Sequence, residues 1–200
     1  MTLLIHSRGL TRARRTVVSR VGVRFGNYLS DLKWLMMSLR ILPRKVENWR
    51  EVLAYYLKPV HSSPLVVRLR NGDALGVPSN YLFEAIAETI LMNMYKFYEP
   101  ASVIVDIGAS VGDFTVLVSS QQTDRHIYSY EPDPETFNYM KNNVSVNRRG
   151  SVRLFNAAAN SDTLSTVLHR FGESRIDFLK LDCEGCEYEV LPSVPPRTCL

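Results

Sequence analysis

The stretch SVIVDIGASVGDF, which runs from Ser102 to Phe114, decides the fold. Its first half is a continuous apolar run, which is typical of a strand buried on both faces of a parallel sheet. Its second half places Gly108 and Gly112 just before a segment with a helical pattern. A buried strand, a glycine-containing turn and a helix together predict the start of an α/β domain.

The same strand–turn–helix pattern repeats along the rest of the chain. Three further apolar runs are each followed by a helical pattern: HIYSYEP by DPETFNYMKNNVSVN, SVRLFNA by DTLSTVLHRFG, and IDFLKLD by EGCEYEVL. Such alternation implies parallel strands joined by right-handed crossovers. We therefore predict a Rossmann-like α/β fold in which a ligand binds beyond the carboxyl ends of the strands.

The spacing of the first loop distinguishes between cofactors. A dinucleotide fingerprint starting at Gly108 requires glycine where Ser110 and Asp113 stand, which disfavours an NAD-type oxidoreductase. A phosphate-binding loop of the G-x-x-x-x-G-K-[ST] type is also absent from the sequence. The pattern acid-x-G-x-x-x-G, from Asp106 to Gly112, is instead common in S-adenosylmethionine sites. Asp106 is predicted to serve the cationic methionine end, directly or through water.

Polar residues at the ends of the second and third strands extend the predicted site. Glu131 follows the second strand, 23 residues after Gly108, where a carboxylate can accept hydrogen bonds from both ribose hydroxyls. The alternative for Glu131 is a surface acid at a strand end. Asn156 and Ala157 follow the third strand, and we expect them to border the adenine.

The last predicted strand and helix carry several charged residues, in FLKLDCEGCEYEVL. A lysine within a buried strand is costly unless it is paired or functional. One interpretation is a Lys–carboxylate network that only joins strand to helix. The other places Lys180, Asp182 and Glu184 at the mouth of the site, near the transferred methyl group, as catalytic residues. Cys183 and Cys186 look incidental: a second pair for zinc is missing and the helix does not begin at Cys183, so no metal is predicted.

Four motifs in order resemble the FkbM family of S-adenosylmethionine-dependent methyltransferases. They are VIVDIGASVGDFT, YEPDPETF with NNVSVN, FNAAA, and IDFLKLDCEGCEYEVL, and the preceding LRNGDALGVPSNYLFEAI is also similar. The resemblance spans roughly residues 64–191. It implies a Rossmann-like enzyme that methylates a hydroxyl oxygen of a sugar or small natural product.

The resemblance also implies roles for individual residues. Those that match cofactor positions of the family loop and strand end are Asp106, Gly108, Ala109, Ser110, Gly112 and Glu131. Those that match the final signature are Lys180, Asp182, Glu184 and Glu187. Asp182 or Glu184 is the expected base for the hydroxyl proton.

Two departures from the family pattern bear on activity. Only Asn160 and Ser161 connect FNAAA to the following helix, where the family has a longer stretch. The chain also carries only the first four core strands, so we predict a parallel sheet that is incomplete at the C-terminus. Because the outer edge of the fourth strand would then be unpaired, we expect self-association. The alternative to an active enzyme is a truncated remnant that binds cofactor or a partner without turnover.

Before residue 100, the sequence lacks the alternation of strands and helices described above. Residues 1–62 are expected to form a basic arm and helices, and residues 63–200 the FkbM-like domain. A helix is predicted from Asp31 to Pro43, a second through VENWREVLAYYLKP, a type I′ hairpin at Asn71-Gly72 and a third helix after Ser79. The sequence contains no run of eighteen or more apolar residues, so we predict no transmembrane helix.

Charge is concentrated at the start of the sequence. The net charge is +4, and the first thirty residues contain six arginines and no acid. A solvated arm, a weak contact with an anionic membrane or with nucleic acid, and a transit peptide all fit this composition. We expect no specific nucleic-acid partner. Three cysteines, all after residue 180, fit a reducing cytoplasmic setting.

Overall fold

The computed structural model describes residues 2–5, 39–57, 64–78, 89, 100–122, 124–147, 149, 151–183 and 185–194. Most of the helix predicted from Asp31 lies outside these ranges. Nearly all of the helix predicted after Ser79 also lies outside them, as does Glu184.

The centre of the molecule is a five-stranded sheet in which every neighbouring pair is parallel. Its strands lie in the order β1-β7-β4-β5-β6. Their bounds are Thr2–Ile5 (β1), Phe178–Leu181 (β7), Val103–Ile107 (β4), His126–Tyr130 (β5) and Val152–Phe155 (β6). The chain moves outward from β4 to β6 and then returns to the other side of β4 at β7. This reversal is the switch point of a doubly wound sheet, so the predicted fold class is confirmed.

Helices follow the strands β4 to β7 as the sequence pattern predicts, and one further helix lies earlier in the chain. They are α1 (Trp49–Leu57), α2 (Asp113–Gln121), α3 (Pro134–Val146), α4 (Thr163–Arg170) and α5 (Glu187–Val190), and residues 39–45 are also helical. Helix α3 begins with a proline at its first turn, and the Asp133 carboxylate accepts a hydrogen bond from the Thr136 amide at 2.8 Å. No helix within the described ranges is both long and apolar enough to cross a membrane.

The two faces of the sheet differ in chemistry. Val105, Ile107, Leu179 and Leu181 pack in one apolar cluster with helix α4. The opposite face mixes apolar residues such as Ile104 with the buried polar residues Asp106, Ser129 and Lys180, beneath helix α2. A buried polar group must find a partner, so this second face is where the charged motif residues are organised.

The outer edge of β7 departs from the prediction. We expected this edge to be unpaired, but β1 lies against it in parallel, with Thr2 opposite Phe178 and Ile5 opposite Leu181. The four-residue run TLLI supplies the row of N–H and C=O groups that the edge requires. The expectation of an unpaired edge on β7 is therefore wrong.

Strands β2 (Leu65–Arg68) and β3 (Ala74–Val77) form an antiparallel hairpin ahead of the sheet. The Gly72 amide bonds to the Leu69 carbonyl at 3.0 Å, and Leu69 N bonds to Asp73 O at 2.7 Å. Gly72 has a φ of 90°, whereas Asn71 has no positive φ. A type I′ turn needs a positive φ at both central residues, so that prediction is wrong. The loop has the pattern of a type I turn followed by a bulge.

Candidate functional site

A buried ion pair lies beneath the loop that follows β4. Asp106 and Lys180 face each other in the register of β4 and β7, and Lys180 Nζ donates to Asp106 Oδ1 at 2.9 Å. The same ammonium donates to the Gly108 carbonyl at 2.9 Å. The other carboxylate oxygen of Asp106 accepts a hydrogen bond from the Thr115 hydroxyl at 2.8 Å. Asp106 and Lys180 thus tie two strands and the loop together from below.

This geometry corrects two expectations. The Lys180 side chain is only 5% exposed, so it lies under the loop and not at the mouth of the site. Asp106 is 0% exposed, and both of its oxygens bond to protein groups, so direct contact with a cofactor is not what the structure shows. Burial lowers the pKa of Lys180, but the Asp106 and Asp182 carboxylates outweigh it and raise the pKa above its ordinary value. The ammonium therefore stays charged.

A second buried acid begins helix α2. Asp113 is 4% exposed, and burial raises the pKa of its carboxyl group. A hydrogen bond from Thr89 and the charge of Lys180 oppose this rise. From the sequence, Asp113 is noted only because it stands where a dinucleotide fingerprint requires glycine. Its burial beside Lys180 places it in the same internal network.

The loop of residues 108–112 is held by its own backbone amides. The Gly108 and Ala109 amides both donate to the Tyr130 carbonyl at 3.0 Å, and the Gly112 amide donates to the Ala109 carbonyl at 2.8 Å. The Ser110 amide donates to Glu131 Oε2 at 2.9 Å. The backbone amides of these four residues therefore bond to protein groups and not to a ligand. The loop is already locked onto the end of β5.

The two glycines of the loop are required by protein contacts. Both have positive φ, 75° at Gly108 and 80° at Gly112. A Cβ on Gly108 would lie 1.9 Å from the Asp182 carbonyl oxygen, and one on Gly112 would lie 2.8 Å from Cγ of Met140 on helix α3. Gly108 thus lets the loop approach the end of β7. Gly112 lets it approach α3.

Glu131 lies just past the carboxyl end of β5, beside the loop. Its two oxygens accept backbone hydrogen bonds at 2.9 Å, Oε2 from Ser110 and Oε1 from Asp133. The residue is 8% exposed, and burial raises the pKa of its carboxyl group, although the two backbone donors oppose the shift. Each carboxylate oxygen can accept more than one hydrogen bond, so Glu131 keeps capacity for further donors.

Asn156 and Ala157 follow β6 on the same edge of the sheet and are exposed. The Asn156 side-chain nitrogen donates to the carbonyls of Glu131 at 3.0 Å and Pro132 at 3.1 Å. This amide therefore fixes the segment that carries Glu131. The expected contact of Asn156 and Ala157 with an adenine ring stays a prediction.

The turn between β7 and α5 is organised by Glu187. Glu187 is 7% exposed, and its carboxylate accepts the amides of Cys183 at 3.2 Å and Gly185 at 2.6 Å. It therefore has a structural role at this turn. Asp182 is half-buried at the end of β7, where its amide bonds to the Ile107 carbonyl at 3.0 Å. Glu184 lies outside the described residues.

Cys183 and Cys186 are joined as a disulfide, with their Cα atoms 5.6 Å apart. The sequence had suggested that the two cysteines were incidental, and the structure gives them a bond that closes the turn after β7. Within the described ranges, no cluster of three or more His, Cys, Asp or Glu side chains is arranged to hold a metal ion.

Asn143 is a site residue that the sequence did not single out. It lies on helix α3, is 4% exposed, and its side-chain nitrogen donates to the Val111 carbonyl in the loop at 2.8 Å. A mid-helix asparagine has no periodic signal that would reveal such a contact. Its place in NNVSVN was noted only as part of a family motif.

Two family models match this chain. Residues 80–169 match the TRM5/TYW2 methyltransferase domain, and residues 158–195 match the methyltransferase FkbM domain. The chain carries a methyltransferase-type domain. The predicted enzyme class is therefore confirmed, whereas the FkbM resemblance is supported only over the region of the final motif. No curated protein matches the sequence.

Three solved structures illustrate the similarity of this chain to known proteins. M. jannaschii TYW2 in complex with AdoMet has 18% identity and a TM-score of 0.37, covering 50% of this chain and 46% of that one. Trm5b from Pyrococcus abyssi has 18% identity and a TM-score of 0.40, covering 62% and 34%. The SAM-dependent methyltransferase from Agrobacterium tumefaciens has 9% identity and a TM-score of 0.41, covering 62% and 41%. The chain matches less than half the length of each of these structures.

Proposed function

We propose that this chain binds S-adenosylmethionine at the carboxyl edge of β4 and β5 and transfers its methyl group to a hydroxyl oxygen. The observation that carries the proposal is Glu131, a carboxylate at the end of β5 that is fixed by the loop and retains acceptor capacity. The matches to two methyltransferase domain models support the reaction class.

The cofactor proposal rests on how Glu131 is held. A ribose presents two neighbouring hydroxyl donors, and a carboxylate with two oxygens complements them. The amides of Ser110 and Asp133 fix the carboxylate orientation before a ligand arrives, so little side-chain entropy remains to be lost on binding. Asp106 and Lys180 contribute indirectly, because their bonds to each other and to the Gly108 carbonyl support the loop.

The transfer step requires positioning and a proton acceptor. S-adenosylmethionine supplies a methyl group on a positively charged sulfur. Asp182, at the carboxyl end of β7, would accept the proton that the acceptor hydroxyl loses when it takes up this methyl group. The Asp182 carboxylate also interacts with the Lys180 ammonium, whose pKa it helps to raise. Glu184 remains a second candidate for the base.

A hydroxyl on a sugar or small natural product is the acceptor we favour. The final motif, which contains Lys180 and Asp182, lies in the region that matches the FkbM domain. A hydroxyl acceptor also gives the Asp182 carboxylate a clear task, because the oxygen must lose its proton during transfer.

A nucleic-acid base is the second candidate acceptor. Residues 80–169 match the TRM5/TYW2 domain, whose members act on nucleic-acid bases. The six arginines in the first thirty residues also fit a polyanionic partner.

A transfer assay with isotopically labelled S-adenosylmethionine tests the proposal. The wild-type chain and the Asp182→Asn variant would be incubated with a panel of sugars and hydroxylated natural products and, separately, with total RNA. We expect label in a hydroxylated acceptor with the wild type and a loss of at least about a hundredfold with Asp182→Asn. Label in RNA alone would select the second candidate. Cofactor binding without transfer to any acceptor would favour the non-catalytic remnant.

A further inference from the structure

The β2–β3 hairpin is attached to helix α3 through two asparagines one turn apart. Asn143 Oδ1 accepts the Gly76 amide at 2.7 Å, and its Nδ2 donates to the Gly76 carbonyl at 3.1 Å. Asn147 does the same with Ala74, at 2.9 Å and 2.8 Å. Each side-chain amide therefore takes the place of a peptide group in a neighbouring strand, and together they cover the outer edge of β3.

The opposite edge of the hairpin is covered in a similar way. Asn48 Oδ1 accepts the Arg68 amide at 2.9 Å, and its Nδ2 donates to the Val66 carbonyl at 2.7 Å. The Glu47 amide donates to the Arg68 carbonyl at 2.8 Å. Backbone groups on both edges of the hairpin are therefore paired, and the bonds on the β3 edge fix the hairpin to the C-terminal end of α3.

Only one of the two asparagines Asn143 and Asn147 also bonds to the loop of residues 108–112. The second hydrogen of Asn143 Nδ2 goes to the Val111 carbonyl at 2.8 Å. Asn147 follows the last residue of α3, and the second hydrogen of its Nδ2 goes to the Asn143 carbonyl at 2.7 Å, in the last turn of that helix. Asn143 thus connects the hairpin to the loop, and Asn147 does not.

The hydrogen bond from Asn143 to the Val111 carbonyl lies between two residues of the loop that have positive φ. Val111 stands between Ser110 and Gly112, which both have positive φ, 52° and 80°. The Ser110 amide is held on one side by Glu131, and the Val111 carbonyl is held on the other by Asn143. The peptide groups between them are therefore fixed at both ends.

We infer that Asn143 is a positioning residue that makes the β2–β3 hairpin part of the cofactor site. The hairpin and α3 hold the loop in the conformation that keeps Glu131 in place. The statement about cofactor rests on the proposed function, whereas the statement about the loop does not. The hairpin, which precedes the sheet in the chain, thereby acquires a role in binding.

The matched variants Asn143→Leu and Asn147→Leu test this inference. Both lose a two-way bond to β3, but only the first frees the Val111 carbonyl. In Asn143→Leu we expect the amides of residues 108–112 to exchange with solvent about tenfold faster, relative to the amides of β4. We also expect S-adenosylmethionine affinity to fall about tenfold by calorimetry. In Asn147→Leu both quantities should stay within about twofold of the wild type.

The outcomes separate the two proposals. Equal effects of the two variants on loop exchange, or none for Asn143→Leu, would overturn the positioning role. If the wild type binds no S-adenosylmethionine, the proposed function fails while loop exchange still decides the coupling. If Asn143→Leu does not fold, Asn143→Asp replaces it, because this variant keeps an acceptor for the Gly76 amide and loses the donor to Val111.

Discussion

Asp106 and Glu131 are two buried carboxylates on neighbouring strands, and they differ in their partners. Asp106 lies inside β4, where it bonds to the Lys180 ammonium and the Thr115 hydroxyl. Glu131 lies one residue past β5 and accepts hydrogen bonds from two backbone amides, those of Ser110 and Asp133. Both are predicted from the sequence to contact the cofactor, each from a different motif. The position relative to the strand end, rather than burial, separates the acid that supports the loop from the acid that we propose to bind the ribose.

The largest expected effect comes from breaking the interior pair. Lys180→Met leaves the Asp106 carboxylate buried without its cation, which should lower the free energy of unfolding by about 3–5 kcal/mol. Urea unfolding followed by circular dichroism would measure it. The double variant Lys180→Met/Asp106→Asn should recover part of the loss, because the buried charge is gone. A loss below about 1 kcal/mol in the single variant would show that the pair is not a structural support.

A second test addresses the contact between the loop and β7. Gly108→Ala should destabilise the fold by about 2–4 kcal/mol, because its Cβ would collide with the Asp182 carbonyl at a positive φ. Gly72→Ala is the matched control: it has a φ of 90° but no atom within 4 Å of an added Cβ. It should cost about 1 kcal/mol. Equal losses in thermal and urea unfolding would mean that backbone strain, and not the close approach, explains the glycine.

The features of the molecule that depend on local sequence pattern could be predicted from the sequence. The alternating strands and helices, the turn at Gly108 and the place of Glu131 after β5 all follow from periodicity and spacing. The pairing of Lys180 with Asp106 depends on the register of strands 74 residues apart, which no local pattern encodes. The run TLLI is too short to indicate a strand by itself. The amide of Asn143 was missed because a side chain that imitates a strand edge leaves no periodic signal.

The pH dependence of binding would sharpen the role of Glu131. Burial raises the pKa of this carboxyl group, and ribose hydroxyls would favour its charged form, so binding should release a proton. S-adenosylmethionine affinity should therefore fall by up to about tenfold per pH unit as pH drops below the pKa of Glu131 in the free protein. Calorimetry between pH 4.5 and about 8 would measure this. Glu131→Gln should bind more weakly and lose this dependence, and a wild-type profile that is flat would argue against a ribose contact.

The smallest expected effect concerns the disulfide. Replacing Cys183 and Cys186 by serine should change S-adenosylmethionine affinity by less than about twofold, because the bond closes a turn that Glu187 also holds. Closing so short a loop should contribute about 2 kcal/mol or less to stability. Binding that fails in the double variant, or in reduced wild type, would instead assign the disulfide to the site. Metal analysis of the same samples should show no bound zinc that depends on these cysteines.

The central claim is that Glu131 and the loop of residues 108–112 form a site for S-adenosylmethionine. Isothermal titration calorimetry of the wild type with S-adenosylmethionine and, separately, with NAD tests it most directly. We predict one S-adenosylmethionine bound per chain and no binding of NAD. In Glu131→Ala, checked for folding by circular dichroism, we predict an affinity weaker by roughly 1–3 kcal/mol, because the ribose hydroxyls lose their acceptor. Unchanged affinity in a folded Glu131→Ala variant, or binding of NAD in place of S-adenosylmethionine, would contradict the claim.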